Sequence, residues 1–159
     1  MVDVLRVNDV LAAVAAHSDW QFAIGLRVRF ANPTLLYQTY PEAWVRAYAE
    51  QAMLFLDPTV RWGLQNHGAC RWSELRADDP AGILLKAAEH DLRYGVVVSV
   101  GEAHARTMGF FCRPDRELSD GEIAFALDRV QVLHDLTDGL AGATEEEMDD
   151  LRALNPGLR

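Results

Sequence analysis

The chain has 159 residues, of which 50% are hydrophobic, and its formal net charge is −9. This length allows one domain with a substantial core and is short for two. Domains that bind nucleic acid neutralise phosphates with a basic surface, whereas acidic residues here outnumber Lys and Arg by 24 to 15. We therefore expect no DNA binding by this chain alone. The sequence has neither an apolar run of about 18 residues nor a secretory signal, which predicts a cytoplasmic protein without membrane contact.

Hydrophobic periodicity and turn residues predict ten elements along the chain. In chain order they are helix 4–16, strands 20–30 and 34–39, helices 41–53 and 57–66, strand 71–75, helix 80–92, strands 94–101 and 106–113, and helix 119–140. This order favours an α/β fold, an α/β/α sandwich with a central five-stranded antiparallel sheet. Residues 1–142 are interpreted as this domain, and residues 143–159 as an acidic C-terminal tail or linker.

Two of these elements make specific packing predictions. The first strand has four apolar residues at alternate positions: Phe22, Ile24, Leu26 and Val28. They are predicted to share one face of the strand. The last helix begins with a capping box and has apolar residues on two sides. One side can pack on the sheet, and the other would be left for a partner chain, which predicts a homodimer.

An aromatic stripe marks the helix predicted at 41–53. Tyr40, Trp44 and Tyr48 recur every four residues, so they lie along one side of that helix. A side that only packs in a core would use Leu or Ile. Two phenols and an indole instead combine apolar rings with polar tips, which need hydrogen-bonding partners when buried. The stripe therefore predicts a pocket for a mostly apolar ligand that carries a few carbonyl or amide groups.

The stripe is the first part of a longer motif. A Tyr-Pro-x-x-Trp-x-x-x-Tyr run at 40–48 is followed by Asp-Pro-x-Val at 57–60 and by Trp72, fifteen residues after the Asp. The motif resembles the autoinducer-binding domain of LuxR-type quorum-sensing transcriptional regulators, the receptors for N-acyl-homoserine lactones. A weaker resemblance extends from about residue 5 to about residue 140. The resemblance implies a GAF/PAS-like α/β/α fold and a non-enzymatic sensor domain.

The resemblance also assigns roles to the polar residues of the motif. It implies that Trp44 donates its indole N–H to the lactone carbonyl and that Asp57 accepts the amide N–H of the ligand. Tyr40 would donate to the amide carbonyl, Tyr48 would form a wall against the acyl chain, and Trp72 would stack over the lactone. Structural alternatives stay open, since Trp44 could bond a backbone carbonyl in the core and Asp57 could serve only as a helix N-cap.

Seven further residues complete the predicted ligand-binding set. They are Thr59, Ile83, Leu84, Ala87, Val97, Phe110 and Cys112. Thr59 lies where some relatives place a hydroxyl near the head group, and Cys112 where relatives carry Ser or Thr. A thiol donates weakly, and Cys112 could instead be a small buried hydrophobe. Phe110 lies where relatives often have a small residue, which predicts a shorter pocket and a preference for short or medium acyl chains.

Neither catalysis nor metal binding is expected. The five histidines are scattered and never paired at ligand spacing, and Cys70 and Cys112 do not have zinc spacing. No local motif supports a Ser-His-Asp or Cys-His arrangement. The resemblance implies that the small molecule is a signalling lactone, and no cofactor is expected.

LuxR-type regulators continue into a helix-turn-helix domain that has no counterpart in this sequence. Two explanations stay open: the sequence is one domain of a longer regulator, or the natural protein ends here. A short natural protein could hold the lactone as a sink or form inactive heterodimers with a full-length LuxR-type regulator. The alternative function is accordingly a ligand-independent interaction module that sequesters such a regulator by heterodimerisation.

Overall fold

The computed structural model describes residues 1–154. The helices in this range are α1 (Val4–His17), α2 (Glu42–Glu50), α3 (Pro58–Gln65), α4 (Ile83–Ala88), α5 (Asp120–Leu136) and α6 (Glu145–Arg152). The strands are β1 (Gln21–Val28), β2 (Leu35–Gln38), β3 (Gly68–Arg71), β4 (Tyr94–Val100) and β5 (Arg106–Arg113). Short 3₁₀ turns cover Met53–Phe55, Trp72–Asp78 and Leu140–Gly142. None of the helices in residues 1–154 combines the length and apolar character that crossing a bilayer requires.

The five strands form one antiparallel sheet in the order β2-β1-β5-β4-β3. One face of the sheet is covered by α1, α5 and α6, which enclose the larger core. The other face is covered by α2, α3 and α4 around a smaller core that contains Trp44 and Trp72. The predicted α/β/α sandwich with a five-stranded antiparallel sheet is therefore confirmed.

A bulge in β1 decides which side chains face the smaller core. β1 pairs regularly with β5 from Gln21 to Gly25, and the register then shifts before Val28. Arg27 lies inside this bulge with a left-handed φ of 50°. Val28 therefore leaves the face that it was predicted to share with Phe22, and it lies on the other side of the sheet. That prediction was wrong because strict alternation in the sequence does not reveal an extra residue.

The prediction of a strand at 71–75 was also wrong. β3 ends at Arg71, and a 3₁₀ turn follows at once. The Glu74 carboxylate accepts the backbone N–H of Arg71 at 3.2 Å and so closes this turn. The local side-chain bond prevails over the strand pattern, and it turns Trp72 toward the smaller core.

Three helices are shorter than predicted. α4 begins only at Ile83, because Gly82 adopts a left-handed φ of 68° and the Asp79 carboxylate accepts the Ile83 N–H at 3.0 Å. α2 ends at Glu50, since Ala52 has a left-handed φ of 50°. α5 also ends about one turn early. In each case the apolar pattern continues past the point at which the backbone leaves the helix.

The second apolar side of α5 is covered within the chain. Ala126, Val130 and Leu133 are buried on its sheet side. On the other side, Phe125 stacks on His17 of α1 with ring centroids 3.6 Å apart. No side chain of α5 is among the large hydrophobic residues exposed within residues 1–154. The uncovered side expected from the sequence is thus not observed, and the homodimer inferred from it stays a prediction.

The acidic C-terminal segment forms α6, which packs on the domain. Thr144 and Glu147 cap its first turn reciprocally. Leu151 is fully buried, and Tyr37 of β2 donates its hydroxyl to the Leu151 carbonyl at 2.7 Å. Burial raises the pKa of Tyr37 to about 12. The rest of the predicted tail, 155–159, lies outside the described residues, and the predicted domain boundary stays a prediction.

Candidate ligand-binding site

A cavity of about 560 Å³ lies between the sheet and the layer formed by α2, α3 and α4. Small-molecule pockets generally measure about 300 to 1,000 Å³. Ten of the twelve predicted ligand-binding residues line this cavity: Tyr40, Trp44, Tyr48, Asp57, Thr59, Trp72, Ile83, Leu84, Ala87 and Phe110. The fold therefore brings together side chains from four helical segments and one strand around a single enclosed space.

Val97 and Cys112 do not reach the cavity wall. Val97 is fully buried under α3, next to Gly63. Cys112 is fully buried as well; its thiol lies 3.8 Å from the Gln21 carbonyl and is hydrogen-bonded to the side chain of Tyr40. Burial raises the pKa of this thiol to about 12, so it stays protonated. Both residues lie behind the wall, and this placement favours the alternative role of Cys112 as a small buried hydrophobe.

The two carboxylate oxygens of Asp57 have different partners. Oδ1 accepts the backbone N–H of Thr59 at 2.8 Å and the Thr59 hydroxyl at 2.7 Å. Oδ2 accepts the Tyr48 hydroxyl at 2.8 Å. One oxygen thus caps α3, while the other lies beside Tyr48 on the cavity wall. A carboxylate oxygen has two lone pairs, so Oδ2 can accept a second bond from a ligand N–H.

Burial governs the protonation of Asp57 and Tyr48. It raises the pKa of Asp57 above its usual value, against the lowering effect of hydrogen bonds from Thr59 and Tyr48. It also raises the pKa of Tyr48, and the neighbouring Asp57 carboxylate raises it further. Tyr48 is therefore a permanent donor. The partly desolvated Asp57 carboxylate gains from an additional N–H donor, because charge-assisted hydrogen bonds are about twice as strong as neutral ones.

Trp44 faces the cavity from α2 and is only 5% exposed. Its ring lies edge-on to Tyr48, with centroids 5.6 Å apart, and 5.3 Å from the ring of His90. Among the described residues, none accepts a hydrogen bond from its indole N–H. Trp20 in the larger core, by contrast, donates to the Val14 carbonyl at 2.8 Å. The structural alternative, a bond from Trp44 to a backbone carbonyl, is therefore not observed.

Trp72 packs against the floor of the cavity at a glycine. The 3₁₀ turn after β3 places its indole on the backbone of Gly95 in β4. A Cβ at Gly95 would lie 2.3 Å from the ring, so only glycine permits this approach. Trp72 Nε1 is buried and has no acceptor in the described part of the chain. The position of Trp72 thus depends on a residue 23 positions further along the chain.

Replacing Gly95 with Ala should displace Trp72 and lower both stability and ligand affinity. The added methyl group overlaps the indole, and overpacking of this kind costs about 1–3 kcal/mol of unfolding free energy. Thermal unfolding and ligand titration measure the two effects. Gly142→Ala is the matched control, because a Cβ there meets nothing within 4 Å. Wild-type stability and affinity in Gly95→Ala would show that Trp72 is not held in this way.

Tyr40 lies between β2 and α2, over β5. Its hydroxyl is 3.3 Å from the Phe110 carbonyl, which is long for an O–H donor. Burial raises the pKa of Tyr40 well above its usual value, so the phenol stays protonated. Because a hydroxyl rotates freely about its C–O bond, it can turn from this long contact to a better acceptor inside the cavity.

The sheet supplies a floor that the sequence analysis did not identify. Ala23 and Gly25 of β1 face the cavity, whereas Phe22 and Ile24 face the larger core. Met108 of β5 pairs with Gly25 and also lines the cavity. The small residues leave space above the sheet for a ligand. The signal was present in the sequence as small side chains alternating with large ones along one strand.

Phe110 narrows the cavity but does not end it. It pairs with Ala23 of β1, and the lining continues past it to Met108, Gly25 and Leu36. The shorter pocket expected from Phe110 is therefore not supported by this geometry.

A larger, open groove of about 1100 Å³ lies at the other end of the sheet, between the β4–β5 turn and α5. Charged side chains such as Glu102 and Asp128 line it, and none of the twelve predicted residues does. Arg27 in this groove is already bonded, donating to the His134 carbonyl at 2.6 Å. No group of three or more potential metal ligands occurs within residues 1–154. The enclosed cavity is the better candidate site, because enclosure by apolar walls is what buries a ligand.

Fold and cavity define a small-molecule-binding domain with an apolar interior and a few polar groups. A sequence profile described as "Autoinducer binding domain" matches residues 16–137, which is more than half of the chain. The chain belongs to the family of autoinducer-binding domains of LuxR-type quorum-sensing regulators, as its motif predicted.

Curated relatives match a part of the chain. The transcriptional activator protein SolR of Ralstonia solanacearum is 33% identical over 69 residues, which are 43% of this chain and 29% of SolR. SolR of Ralstonia nicotianae is 32% identical over 69 residues, with the same coverage. The matched segment thus spans less than a third of the length of these regulators.

Solved structures of LuxR-family proteins have a similar fold. CepR2 of Burkholderia cenocepacia, an N-acylhomoserine lactone-dependent factor, has a TM-score of 0.63 at 17% identity, covering 84% of this chain and 86% of CepR2. Escherichia coli SdiA has a TM-score of 0.62 at 20% identity, covering 98% of this chain and 79% of SdiA. SdiA in complex with octanoyl-rac-glycerol has a TM-score of 0.61 at 19% identity, covering 98% and 78%. At these identities the likeness shows the fold.

Proposed function

We propose that the cavity binds an N-acyl-homoserine lactone and that the domain is a non-enzymatic sensor for this signal. The observation that carries the proposal is an indole donor without an acceptor among the described residues, Trp44, beside a carboxylate, Asp57, on the wall of a mostly apolar cavity. An acyl-homoserine lactone offers the complement of this wall. It has two carbonyl acceptors, one amide N–H donor and an apolar chain.

Each polar group of the wall has a partner on such a ligand. The Trp44 N–H donates to the lactone carbonyl, and the Tyr40 hydroxyl turns from its long backbone contact to the amide carbonyl. Asp57 Oδ2 accepts the amide N–H while it keeps its bond from Tyr48. Trp72 covers the lactone ring. Thr59 holds the carboxylate in place through its two bonds to Oδ1.

The acyl chain lies on the apolar part of the wall. Ile83, Leu84 and Ala87 of α4 face it from one side, and Phe110 faces it from the sheet. Each buried methylene contributes about 0.8 kcal/mol of binding free energy. SdiA, which shares the fold, has been solved with octanoyl-rac-glycerol, a compound that also joins a polar head to an acyl chain. An acylglycerol is therefore the competitor against which the lactone has to be tested.

The test compares octanoyl-homoserine lactone, its ring-opened acid and octanoyl glycerol by thermal unfolding and titration calorimetry. A ligand that binds only the native state stabilises it by about 2.7 kcal/mol at a hundredfold excess over Kd. We expect the lactone to stabilise most. The ring-opened acid should stabilise least, because it places a second carboxylate near Asp57. Stabilisation by octanoyl glycerol alone, or by none of the three, would contradict the proposal.

We also propose that the domain works as a homodimer in transcription regulation, which its family membership favours. Light scattering measures the molar mass of the protein with and without lactone and so tests for the homodimer. Sequestration of a full-length relative by heterodimerisation relied on an uncovered side of α5, whereas Phe125, Val132 and Leu136 on that side pack against the larger core within the chain. No observation therefore favours this alternative.

With a net charge of −9, the chain by itself is expected to give no mobility shift on operator DNA.

A further inference from the structure

The exposed part of the cavity wall comes from two short segments. Six of the lining residues are exposed: Asn32, Pro33, Leu36, Ala49, Ala52 and Phe55. Three belong to the β1–β2 turn and the start of β2, and three to the end of α2 and the turn that follows. The other lining residues are buried or half-buried. The cavity therefore opens to solvent through a mouth between these two segments.

The rim of this mouth is apolar. Leu36 is 50% exposed and Phe55 is 77% exposed, although both line the cavity. Phe30 and Leu56, which lie next to the same two segments, are 95% and 48% exposed. These four residues are more than half of the large hydrophobic residues exposed within residues 1–154. Single exposed hydrophobic residues need no explanation, but a concentration of them at a cavity mouth indicates a binding surface.

The backbone on both sides of the mouth is held in an unfavourable conformation. Phe30 and Ala31 have φ values of 52° and 68°, and Ala52 has a φ of 50°. Residues other than glycine rarely adopt this left-handed region, and those that do often lie at ligand clamps. Neither turn uses glycine at these positions, so their shape is maintained against a local cost.

The mouth lies away from the end of the cavity that Trp72 covers. Trp72 lies against Gly95 of β4, which pairs with Cys112 of β5. Leu36 lies in register, through Gly25, with Met108 of β5. Cys112 and Met108 are separated by four residues along one strand, or about 13 Å. A ligand with its head group under Trp72 therefore directs its tail toward the mouth.

We propose that Leu36 and Phe55 form a subsite for the terminal carbons of a long acyl chain, which leaves the enclosed cavity through the mouth and covers this rim. The inference rests on the proposed lactone-binding function and adds the class of ligand, a long-chain acyl compound. It replaces the short-chain preference expected from Phe110. The occupant is the ligand tail because the apolar rim is continuous with the apolar cavity wall. A tail there removes from water both its own methylenes and the two exposed side chains.

The experiment measures Kd for saturated acyl-homoserine lactones from butanoyl to tetradecanoyl. The proteins are the wild type, the double variant Leu36→Ser/Phe55→Ser, and Leu85→Ser as control. Leu85 is 76% exposed on α4 and does not line the cavity, so its replacement removes a similar apolar surface elsewhere. Because Leu36, Phe55 and Leu85 are all exposed, the variants should fold normally.

For the wild type we expect affinity to rise through the longest chains, by up to about fourfold for each methylene that becomes fully buried. The double variant should lose roughly tenfold on tetradecanoyl lactone and nothing on butanoyl lactone, and Leu85→Ser should match the wild type. Wild-type affinity that peaks at a medium chain and then falls would overturn the proposal. So would a rim variant whose loss is the same at every chain length.

Two further outcomes separate this proposal from its rivals. If no lactone of any length binds, the proposed function fails and the tail subsite fails with it. If the wild type is dimeric without ligand and the rim variant is monomeric with an unchanged chain-length profile, the rim is an interface between copies of the chain, and the tail subsite is overturned. Gel filtration of the ligand-free proteins reads out this second case.

Discussion

Replacing Asp57 with Asn, or Trp44 with Phe, is expected to weaken acyl-homoserine lactone binding at least tenfold, or about 1.4 kcal/mol. The Asn side chain keeps one oxygen as an acceptor, so it can still cap α3, since Asn is as favourable as Asp at an N-cap. Its amide nitrogen, however, replaces the oxygen that would accept the ligand N–H. The Trp44→Phe variant keeps an aromatic ring but loses the five-membered ring of the indole and, with it, the N–H donor that has no acceptor within residues 1–154.

The matched control for the indole is Trp62→Phe. Trp62 is half-buried on α3 and does not line the cavity. Its replacement should leave the affinity unchanged, so a loss confined to Trp44→Phe assigns the effect to the site. Calorimetric titration with one well-binding lactone measures all three variants. Unchanged affinity in both Asp57→Asn and Trp44→Phe would remove these residues from the site.

Lowering the pH should weaken the hydrogen bond that Asp57 accepts from the ligand amide. Burial raises the pKa of Asp57, so its carboxylate is protonated at a higher pH than that of an exposed Asp. Protonation removes the charge that strengthens the bond from the ligand amide. Lactone affinity should therefore fall as the pH is lowered through this raised pKa, whereas Asp57→Asn should show a flat profile over the same range. Equal pH dependence in the two proteins would assign the effect to another group.

Replacing Glu122 with Gln is expected to lower the unfolding free energy by about 3 kcal/mol and the Tm by roughly 6–12 °C. Glu122 is 8% exposed and lies where α1, β5 and α5 meet. Oε1 accepts from Arg116 at 2.7 Å and from the Ser119 N–H at 2.8 Å. Oε2 accepts from Ser18, which follows α1, and Arg113 of β5 lies 3.7 Å away. In Gln, an NH2 group replaces one of these carboxylate oxygens. This donor would face groups that are themselves donors, and the negative charge that pairs with Arg116 would be lost.

The control for Glu122 is Glu42→Gln. Glu42 pairs with Arg46 at 2.9 Å on α2, but its side chain is 86% exposed. Exposed pairs of this kind contribute about 0.3–0.5 kcal/mol, so the Tm should move by less than about 2 °C. Thermal unfolding at neutral pH compares the two variants. Similar small shifts in both would show that the Glu122 cluster does not stabilise the domain.

The acid dependence of stability offers a second readout of the same cluster. The hydrogen bond from Arg116 lowers the pKa of Glu122 from 4.5 to about 2. Because the folded-state pKa is below the unfolded one, the contribution is fully present above about pH 4.5 and is lost as the pH falls toward 2. Over this window the wild type should lose stability more steeply than Glu122→Gln, and the two should converge at the acid end.

Local patterns in the sequence determined the family and most of the polar residues that line the cavity. The aromatic stripe at 40–48 needs only helical spacing to face one side, and Asp57 before Pro58 needs only cap geometry to begin a helix. Each of these features depends only on residues within about one helical turn of each other, so it can be predicted from the local sequence. The hairpin of β4 and β5 was predictable for the same reason, since its strands are neighbours in the chain.

Tertiary structure decided the features that depend on contacts between distant residues. The bulge at Arg27 turned Val28 into the cavity, and the approach of Trp72 to Gly95 placed the second indole. Packing placed Cys112 behind the cavity wall, although its sequence position predicted a contact with the ligand. The mouth exists only because the β1–β2 turn and the turn after α2 meet across the cavity. A one-residue register shift or a pair of facing turns changes which side chains meet without changing local periodicity, and so the sequence alone did not reveal them.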